Sequence, residues 1–201
     1  MSLAQCESLL IKRMVEDGVL QDNAKPRVVE SLVVEQDQAN FADLKVLDID
    51  VQQAEYLQTI GDGWAFPLRR FMNEMELLES MHMKTVTDAN GQKHLMSVPI
   101  TQHLTTEQKD ALANEKKIAL KCTKLSDDVL AVINNPCFFE NRKEEISART
   151  FGCMSEKHPK AAVIFDQGDW LVSGESMDFV KRVTFNDGMD NYRMTPKQIH
   201  E

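Results

Sequence analysis

Apolar residues in this chain recur in two patterns, one typical of helices and one of short strands, without regular alternation between them. Residues 1–20 carry apolar side chains at helical spacing up to Gly18 and predict one amphipathic helix. Residues 21–43 are mostly polar and predict a linker, although the valines at 28–29 and 33–34 favour a short strand within it. We therefore expect the main folded domain to span residues 44–194.

Further helices and strands are predicted within that domain. Two predicted helices follow residues that can cap a helix: 51–60 after Asp50 and 74–82 after Asn73. A short helix is predicted to begin at Thr106, and a charged helical pattern predicts another over 140–150. The predicted strands are rich in β-branched and aromatic residues: 44–49, 85–100 as a hairpin broken at Asn90-Gly91, 118–122 with 129–133 as a second hairpin, 161–165, 170–173 and 179–185. Many short strands among helices predict the α+β class, with a small barrel or curled sheet.

The C-terminal residues 195–201 open a helix that has little room to continue. Thr195 is a helix-capping residue, and Pro196 occupies the first helical position. Isolated helices shorter than about 12 residues are marginal in water. With the unpartnered helix over 1–20, this predicts that the sequence is a piece of a longer protein.

Composition restricts the class of protein further. The chain has 201 residues, of which 42% are hydrophobic and 27% charged, as expected for one folded domain with an appendage. The net charge of −9 disfavours nonspecific nucleic-acid binding, because such binding depends on Lys and Arg at phosphates. The sequence contains neither a membrane span nor a secretion signal, and the four cysteines form no Cys-x-x-Cys pair. We expect a cytoplasmic protein with free thiols. A nuclear location is also compatible with these features.

The residue types needed for catalysis or metal binding are not grouped in this sequence. The five histidines have no metal-ligand spacing, and the Ser, His, Cys and Asp residues form no nucleophilic arrangement by spacing. Asp166 and Asp169 bracket Gln167-Gly168 and predict a hairpin turn rather than an acid/base pair. We therefore predict no catalytic, cofactor-binding or metal-binding residue in this chain.

Two segments are instead candidates for contact with another domain. The loop over 61–72 combines glycines with large apolar residues, and its candidate contact residues are Gly63, Trp64, Pro67, Leu68 and Phe71. The alternative for this loop is that Trp64 fills the core of its own domain. In the second segment, Tyr192 and Arg193 precede a helix start, where they are candidates either to bind an anion or to hold a following domain in place.

Several strings in the chain resemble motifs of one family, in the order in which that family carries them. They are Gly61-Asp62-Gly63-Trp64-Ala65-Phe66-Pro67-Leu68-Arg69-Arg70-Phe71-Met72, Asn135-Pro136-Cys137-Phe138-Phe139-Glu140-Asn141-Arg142-Lys143-Glu144-Glu145, Lys157-His158-Pro159, Gly168-Asp169-Trp170-Leu171-Val172-Ser173-Gly174 and Asn186-Asp187-Gly188-Met189-Asp190-Asn191-Tyr192-Arg193-Met194-Thr195-Pro196. They are similar to motifs of the ATP sulfurylase part of bifunctional 3'-phosphoadenosine-5'-phosphosulfate synthases. Cys6 to Leu20 resembles, more weakly, the last helix of the adenylylsulfate kinase part.

The resemblance implies a PUA-like barrel within an enzyme that makes 3'-phosphoadenosine-5'-phosphosulfate from ATP and sulfate by way of adenylyl sulfate. The family's nucleotide-binding motif lies downstream of the matched region, so the resemblance implies that ATP and Mg²⁺ bind elsewhere in the parent enzyme. The implied partners are the sulfurylase catalytic domain and the kinase domain of the same protein, in a homodimer. Where the family has a glycine before Phe-Met, this chain has Arg70, which leaves the shape of the loop open. The alternative function is a free-standing PUA-like module that binds RNA or protein.

Overall fold

The fold consists of one curled mixed sheet, a separate hairpin and helices packed around them. The computed structural model describes residues 29–201, so the predicted helix over 1–20 lies outside the described residues. The described α-helices are α1 (Val51–Gly61), α2 (Glu74–Met83), α3 (Thr106–Leu112), α4 (Lys143–Phe151), α5 (Pro159–Phe165) and α6 (Pro196–His200). The described strands are β1 (Lys45–Asp48), β2 (Thr85–Thr87), β3 (Lys93–Leu95), β4 (Gln102–Leu104), β5 (Lys117–Lys121), β6 (Val129–Glu140) and β7 (Trp170–Phe179). Gln38–Phe41 and Asp190–Tyr192 form short 3-10 helices.

The main sheet has five strands in the order β1, β5, β6, β7, β4. Strand β1 pairs with β5 in parallel, and the other neighbours pair antiparallel. The hairpin of β2 and β3 lies apart from this sheet. The sheet and its helices confirm the predicted α+β class.

The helix starts follow from local capping. Asp50 and Asn73 each accept a hydrogen bond from the backbone three residues ahead, and the side chains of Gln53 and Glu76 bond back to the capping residues. These capping boxes satisfy N–H groups that the first helical turn leaves without partners. In α6 the same arrangement at Thr195 precedes Pro196. The predicted starts of these helices are confirmed.

Strand β6 is longer than predicted because it bends instead of ending. The predicted strand ended at Ile133, whereas β6 continues to Glu140 through Pro136. Asn135 adopts a positive φ of 47°, and its N–H donates to the carbonyl of Lys116. Residues 129–134 of β6 pair with β5, and residues 131–140 pair with β7.

Three predicted elements between residues 140 and 185 were wrong. The apolar run 161–165 lies in helix α5, which His158 caps and Pro159 opens, with Ala161 and Ile164 buried on one face. A short apolar run does not distinguish a strand from a helix segment, and the capping decided for the helix. Consequently the turn predicted at 166–169 joins a helix to β7 rather than two strands. Phe179 ends β7, so the strand predicted over 179–185 is absent from the described structure.

Part of the predicted linker packs on the sheet. Val33 forms a parallel bridge with Phe179, and the N–H of Val34 donates to the Phe179 carbonyl at 2.9 Å. Gln38 exchanges two hydrogen bonds with the backbone of Val129. The main core lies between the sheet, α1 and the 61–72 loop, and a smaller cluster joins α2, α4 and α5 to the other face of the sheet.

Candidate functional site

The loop over 61–72 has one buried part and one exposed part. Leu68 and Phe71 are 4% and 1% exposed and belong to the main core. Trp64 is 51% exposed, and its indole Nε1 donates to the carbonyl of Met194 at 3.1 Å. Leu68 and Phe71 therefore anchor the loop inside this domain, while the Trp64 side chain remains at its surface.

Gly63 is required by the packing beneath the loop. Its φ is +94°, and a Cβ at this position would lie 2.9 Å from Val29 Cγ1 and 3.1 Å from the Glu30 carbonyl oxygen. Any larger residue would be strained in backbone angle and would press on the N-terminal segment. Gly63 is therefore a packing residue of this loop.

Arg70 is accommodated without an unusual backbone angle, since it is not among the residues of positive φ in the described chain. Its guanidinium forms two hydrogen bonds with Glu76, at 2.7 and 3.3 Å. It also donates to the Phe71 carbonyl at 3.1 Å. Arg70 thus ties the loop to the first turn of α2, where Glu76 also completes the capping box.

An ion pair joins the start of this loop to the segment that follows β7. Arg182 donates from Nε and Nη2 to the two carboxylate oxygens of Asp62, at 3.0 and 2.8 Å. The Asp62 side chain is only 3% exposed, and Gln58 donates to it at 3.2 Å. Arg182 also donates to the backbone carbonyl of Arg193. The hydrogen bonds to Asp62 raise the pKa of Arg182, which remains a cation.

Arg193 is held within a second cluster of charges. It donates to Asp187 at 2.8 and 2.5 Å and to Asp190 at 3.0 Å, and its guanidinium lies over the Phe185 ring at 4.4 Å. Hydrogen bonding to Arg193 holds the pKa of Asp187 well below its usual range, and the pKa of Arg193 is raised in turn. Because two carboxylates already neutralise Arg193, the anion-binding alternative for this residue loses its support.

These contacts bring the two predicted contact segments together around one surface cleft, called here the aromatic cleft. It has a volume of about 350 Å³, and its lining includes Trp64, Phe185, Tyr192, Arg193, Met194 and Ile199. Tyr192 is 76% exposed and Ile199 61% exposed. The cleft therefore combines these aromatic and apolar side chains with polar lining from α1, and each of the two charge clusters contributes a lining residue, Asp62 and Arg193.

The remaining predicted contact residues lie elsewhere. Pro67 and Leu68 line a different groove, on the side of β7. Phe71 is in the core and offers no surface to a partner. The structure thus places Trp64, Tyr192 and Arg193 in one site and leaves Pro67, Leu68 and Phe71 outside it.

The sequence reasoning missed the residues that hold the cleft together. Asp62 and Arg182 are 120 positions apart, and no local pattern connects them. For Asp62, the Gly-Asp-Gly string offered a weak signal that a polar residue was fixed within a loop. The apolar residues Phe185 and Ile199 carried no signal that distinguished them from ordinary core residues.

Neither a metal-binding cluster nor a membrane-spanning helix is found among the described residues. Residues 29–201 contain no group of three His, Cys, Asp or Glu side chains placed to hold a metal ion. Over the same residues, no helix has the length and apolar character needed to cross a bilayer.

Comparison with known proteins gives relatives that are named ATP sulfurylase or sulfate adenylyltransferase. The chain is 33% identical over 159 residues to ATP sulfurylase 2 of Arabidopsis thaliana, and this alignment covers 79% of this chain and 32% of that protein. It is 30% identical over 148 residues to the chloroplastic ATP sulfurylase 4 of the same plant, covering 73% of this chain and 31% of the relative. The chain thus spans about a third of the length of these relatives. A sulfate adenylyltransferase of Psychrobacter sp. is 23% identical over 82% of the chain and 40% of its own length.

Solved structures agree on the fold. A hexameric APS kinase from Thiobacillus denitrificans superposes with a TM-score of 0.59 at 17% sequence identity, over 90% of this chain and 30% of that one. At this identity the likeness shows the fold alone. The model of the PUA-like domain matches residues 19–181, which is most of the chain. With its curled sheet and its ATP sulfurylase homologues, this chain belongs to the PUA-like domain family.

Proposed function

We propose that this chain is the noncatalytic supporting domain of a bifunctional sulfate-activating enzyme. In that enzyme a sulfate adenylyltransferase makes adenylyl sulfate from ATP and sulfate, and an adenylylsulfate kinase then phosphorylates it. The observation that carries the proposal is the match to ATP sulfurylase 2 along 159 residues of this chain. The motifs from Gly61 to Pro196 add support, since they follow the order found in the bifunctional synthases.

The supporting role is favoured by what the described side chains offer. Transfer of a nucleotidyl group needs clustered cations and a metal ion to offset the charge that develops in the transition state. The arginines of the candidate site, Arg182 and Arg193, are already neutralised by carboxylates. We therefore assign ATP and Mg²⁺ to another domain of the parent enzyme.

The aromatic cleft is the surface that we assign to contact with the sulfurylase catalytic domain. Exposed apolar side chains that lie side by side commonly mark an interface. Trp64, Tyr192 and Ile199 lie around the cleft and are all more than half exposed. A covering domain would remove them from water, and aromatic anchors of this kind dominate many interfaces. The parent enzyme is proposed to be a cytoplasmic or nuclear homodimer in which this contact is made within each subunit.

The first experiment tests the chain by itself. Incubated with ATP, sulfate and Mg²⁺, it should release pyrophosphate at the rate of the buffer alone. Turnover clearly above the buffer would show that the chain is catalytic. A salt-dependent mobility shift with RNA, in the absence of such turnover, would instead favour the free-standing binding module.

The second experiment tests the cleft by comparing Trp64→Ala in the chain and in the longer enzyme. In the chain the substitution should cost about 1–2 kcal/mol, because half of the side chain is exposed and one hydrogen bond is lost. In the longer enzyme it should reduce sulfurylase activity strongly. Met75→Ala is the matched control, since Met75 is 73% exposed but lies on α2, outside the cleft. Unchanged activity of the Trp64→Ala enzyme would remove the cleft from the proposed interface.

A third variant separates loop anchoring from docking. Phe71→Ala should destabilise the chain itself by about 3–5 kcal/mol, because Phe71 is 1% exposed within the main core. A similar loss for Trp64→Ala would show that Trp64 belongs to the core, as the alternative interpretation of the loop holds.

A further inference from the structure

A second surface feature lies on the side of the sheet where Pro67 and Leu68 were found, and we call it the edge groove. It encloses about 600 Å³, within the range of ligand and peptide clefts. One wall is the consecutive stretch 175–179 of β7. The opposite wall is formed by residues 86–89 of the β2–β3 hairpin and by the loop over 67–70.

The β7 wall is an open strand edge. Strand β4 pairs with β7 only at Trp170, Leu171 and Val172, and on the same side Val33 bridges to Phe179. Among the described residues, no strand pairs with the stretch between these two contacts on that side.

The direction of the free backbone groups follows from the pairing. The N–H of Val180 donates to Leu130 of β6, and the Phe179 carbonyl accepts from Val34 on the other side. Because backbone groups alternate in direction along a strand, the N–H and C=O of Met177 point to the same side as the Phe179 carbonyl, into the groove. Unpaired groups on a strand edge are a template for one more strand.

The charges that line the groove favour a basic occupant. They comprise two arginines and four carboxylates: Arg69, Arg70, Glu76, Asp88, Glu175 and Asp178. Arg70 forms an ion pair with Glu76, and the ring of His94 donates a hydrogen bond to Asp88. Glu175 and Asp178 accept hydrogen bonds from the neutral amides of Asn135 and Asn134, at 2.8 and 2.9 Å, and form no ion pair among the described residues. These two carboxylates outweigh the single unpaired cation, Arg69.

The apolar lining of the groove indicates that its occupant also carries an apolar side chain. Val34, which is 65% exposed, supplies apolar surface that an occupant can reach, whereas Val86 and Met177 are 1% and 8% exposed and belong to the main core. On β7, Glu175 lies on the same face as Met177 and Asp178 lies on the opposite face. An added strand also places alternate side chains on opposite faces, so it meets one of these two carboxylates on each face.

We propose that the edge groove binds an extended, basic segment of a partner polypeptide, which adds to β7 as a strand. Its backbone would pair with Met177, an apolar side chain would contact Val34, and cations on its two faces would pair with Glu175 and Asp178. This interaction goes beyond the sulfate-activating role and does not depend on the aromatic cleft.

The test uses the full 201-residue chain, labelled with ¹⁵N, and three synthetic hexapeptides. The first, the Lys–Val peptide, is Lys-Lys-Val-Lys-Lys-Val, which has lysines on both faces of a strand. The second, the Glu–Val peptide, has Glu in place of each Lys, and the third is the Lys–Val peptide methylated at alternate backbone nitrogens. The Lys–Val peptide should shift the amide resonances of residues 86–89 and 175–178. It should bind about tenfold more tightly than the Glu–Val peptide, because like charges on the rim oppose the latter. Methylation of the edge-facing nitrogens should abolish binding, because it removes the donors that pair with β7.

Matched variants test the two carboxylates. Glu175→Gln with Asp178→Asn retains the acceptors for Asn134 and Asn135. This double substitution should weaken binding of the Lys–Val peptide about fivefold, and the difference in affinity from the unsubstituted chain should be smaller at high salt. Asp127→Asn with Glu156→Gln changes the same number of charges at exposed positions outside the groove and should leave the affinity unchanged.

Three results would overturn the proposal. The first is no binding of the Lys–Val peptide at millimolar concentration, and the second is equal binding of its methylated form. The third is a concentration-dependent dimer that the Glu175→Gln, Asp178→Asn variant dissociates, which would make a second copy of the chain the occupant. None of these outcomes would affect the activity measurements that test the proposed function.

Discussion

Replacing Arg182 by Met should destabilise the chain more than the loss of a surface ion pair does. Exposed pairs contribute about 0.2–1 kcal/mol, whereas breaking a buried pair from one side costs about 3–5 kcal/mol. Arg182 is 34% exposed but Asp62 is only 3% exposed, so the substitution leaves a buried carboxylate with Gln58 as its remaining side-chain donor. The bond to the Arg193 carbonyl is lost as well. We expect a loss of about 2–3 kcal/mol in the free energy of unfolding, or a decrease of about 4–12 °C in Tm.

A double-mutant cycle with Asp62→Asn isolates the charge effect. Asp62→Asn alone should cost about 1 kcal/mol, because Arg182 then reaches water. Arg182→Met with Asp62→Asn should be more stable than Arg182→Met alone, since no charge is left buried, with a coupling of about 1–2 kcal/mol. Urea unfolding at pH 7 measures all four proteins. A loss below about 0.5 kcal/mol for Arg182→Met, or strict additivity in the cycle, would refute the assignment of this pair as the buried connection between the loop and the C-terminal segment.

The other predictions concern backbone packing and pH. Gly168→Ala should prevent stable folding or lower Tm markedly, because its Cβ would lie 2.1 Å from the Leu104 carbonyl oxygen, and a chain that melts as before would contradict this packing. Asp187 has a pKa lowered by the hydrogen bond from Arg193, so its contribution to stability is complete above about pH 4 and is lost as pH falls further. Arg193→Met should reduce this loss of stability at low pH, measured as Tm against pH. An unchanged loss would contradict the assignment of the Asp187–Arg193 pair as its cause. His103 has a pKa lowered by burial, so stability should fall as pH decreases below about 6.5, and His103→Gln should reduce that fall in a thermal melt series.

Much of the local structure was predictable from short stretches of sequence. The starts of α1 and α2 were correct because each capping box lies within four consecutive residues and satisfies its own backbone groups. The β2–β3 hairpin was correct because Asn90-Gly91 supplies a turn between two β-forming runs, with Gly91 at φ +79°. The α+β class followed from the number and spacing of such elements.

Other features depended on residues far apart in the chain. Only tertiary packing separated Phe71, inside the core, from Trp64, at the surface of the same loop, because an apolar side chain does not itself indicate which surface will cover it. Helix α5 was predicted as a strand because its apolar run fits both structures until the cap at His158 is seen in place.

The sequence by itself determined the helix caps, the first turns and the family resemblance, since these depend on neighbouring residues and ordered motifs. The tertiary structure alone decided that Asp62 meets Arg182, that Trp64 meets Met194, and that the edge of β7 remains open. Those contacts bridge more than 100 positions in the two pairs, and the open edge depends on where neighbouring strands stop. No local pattern encodes such contacts, because they form only when the curled sheet brings distant segments to the same surface.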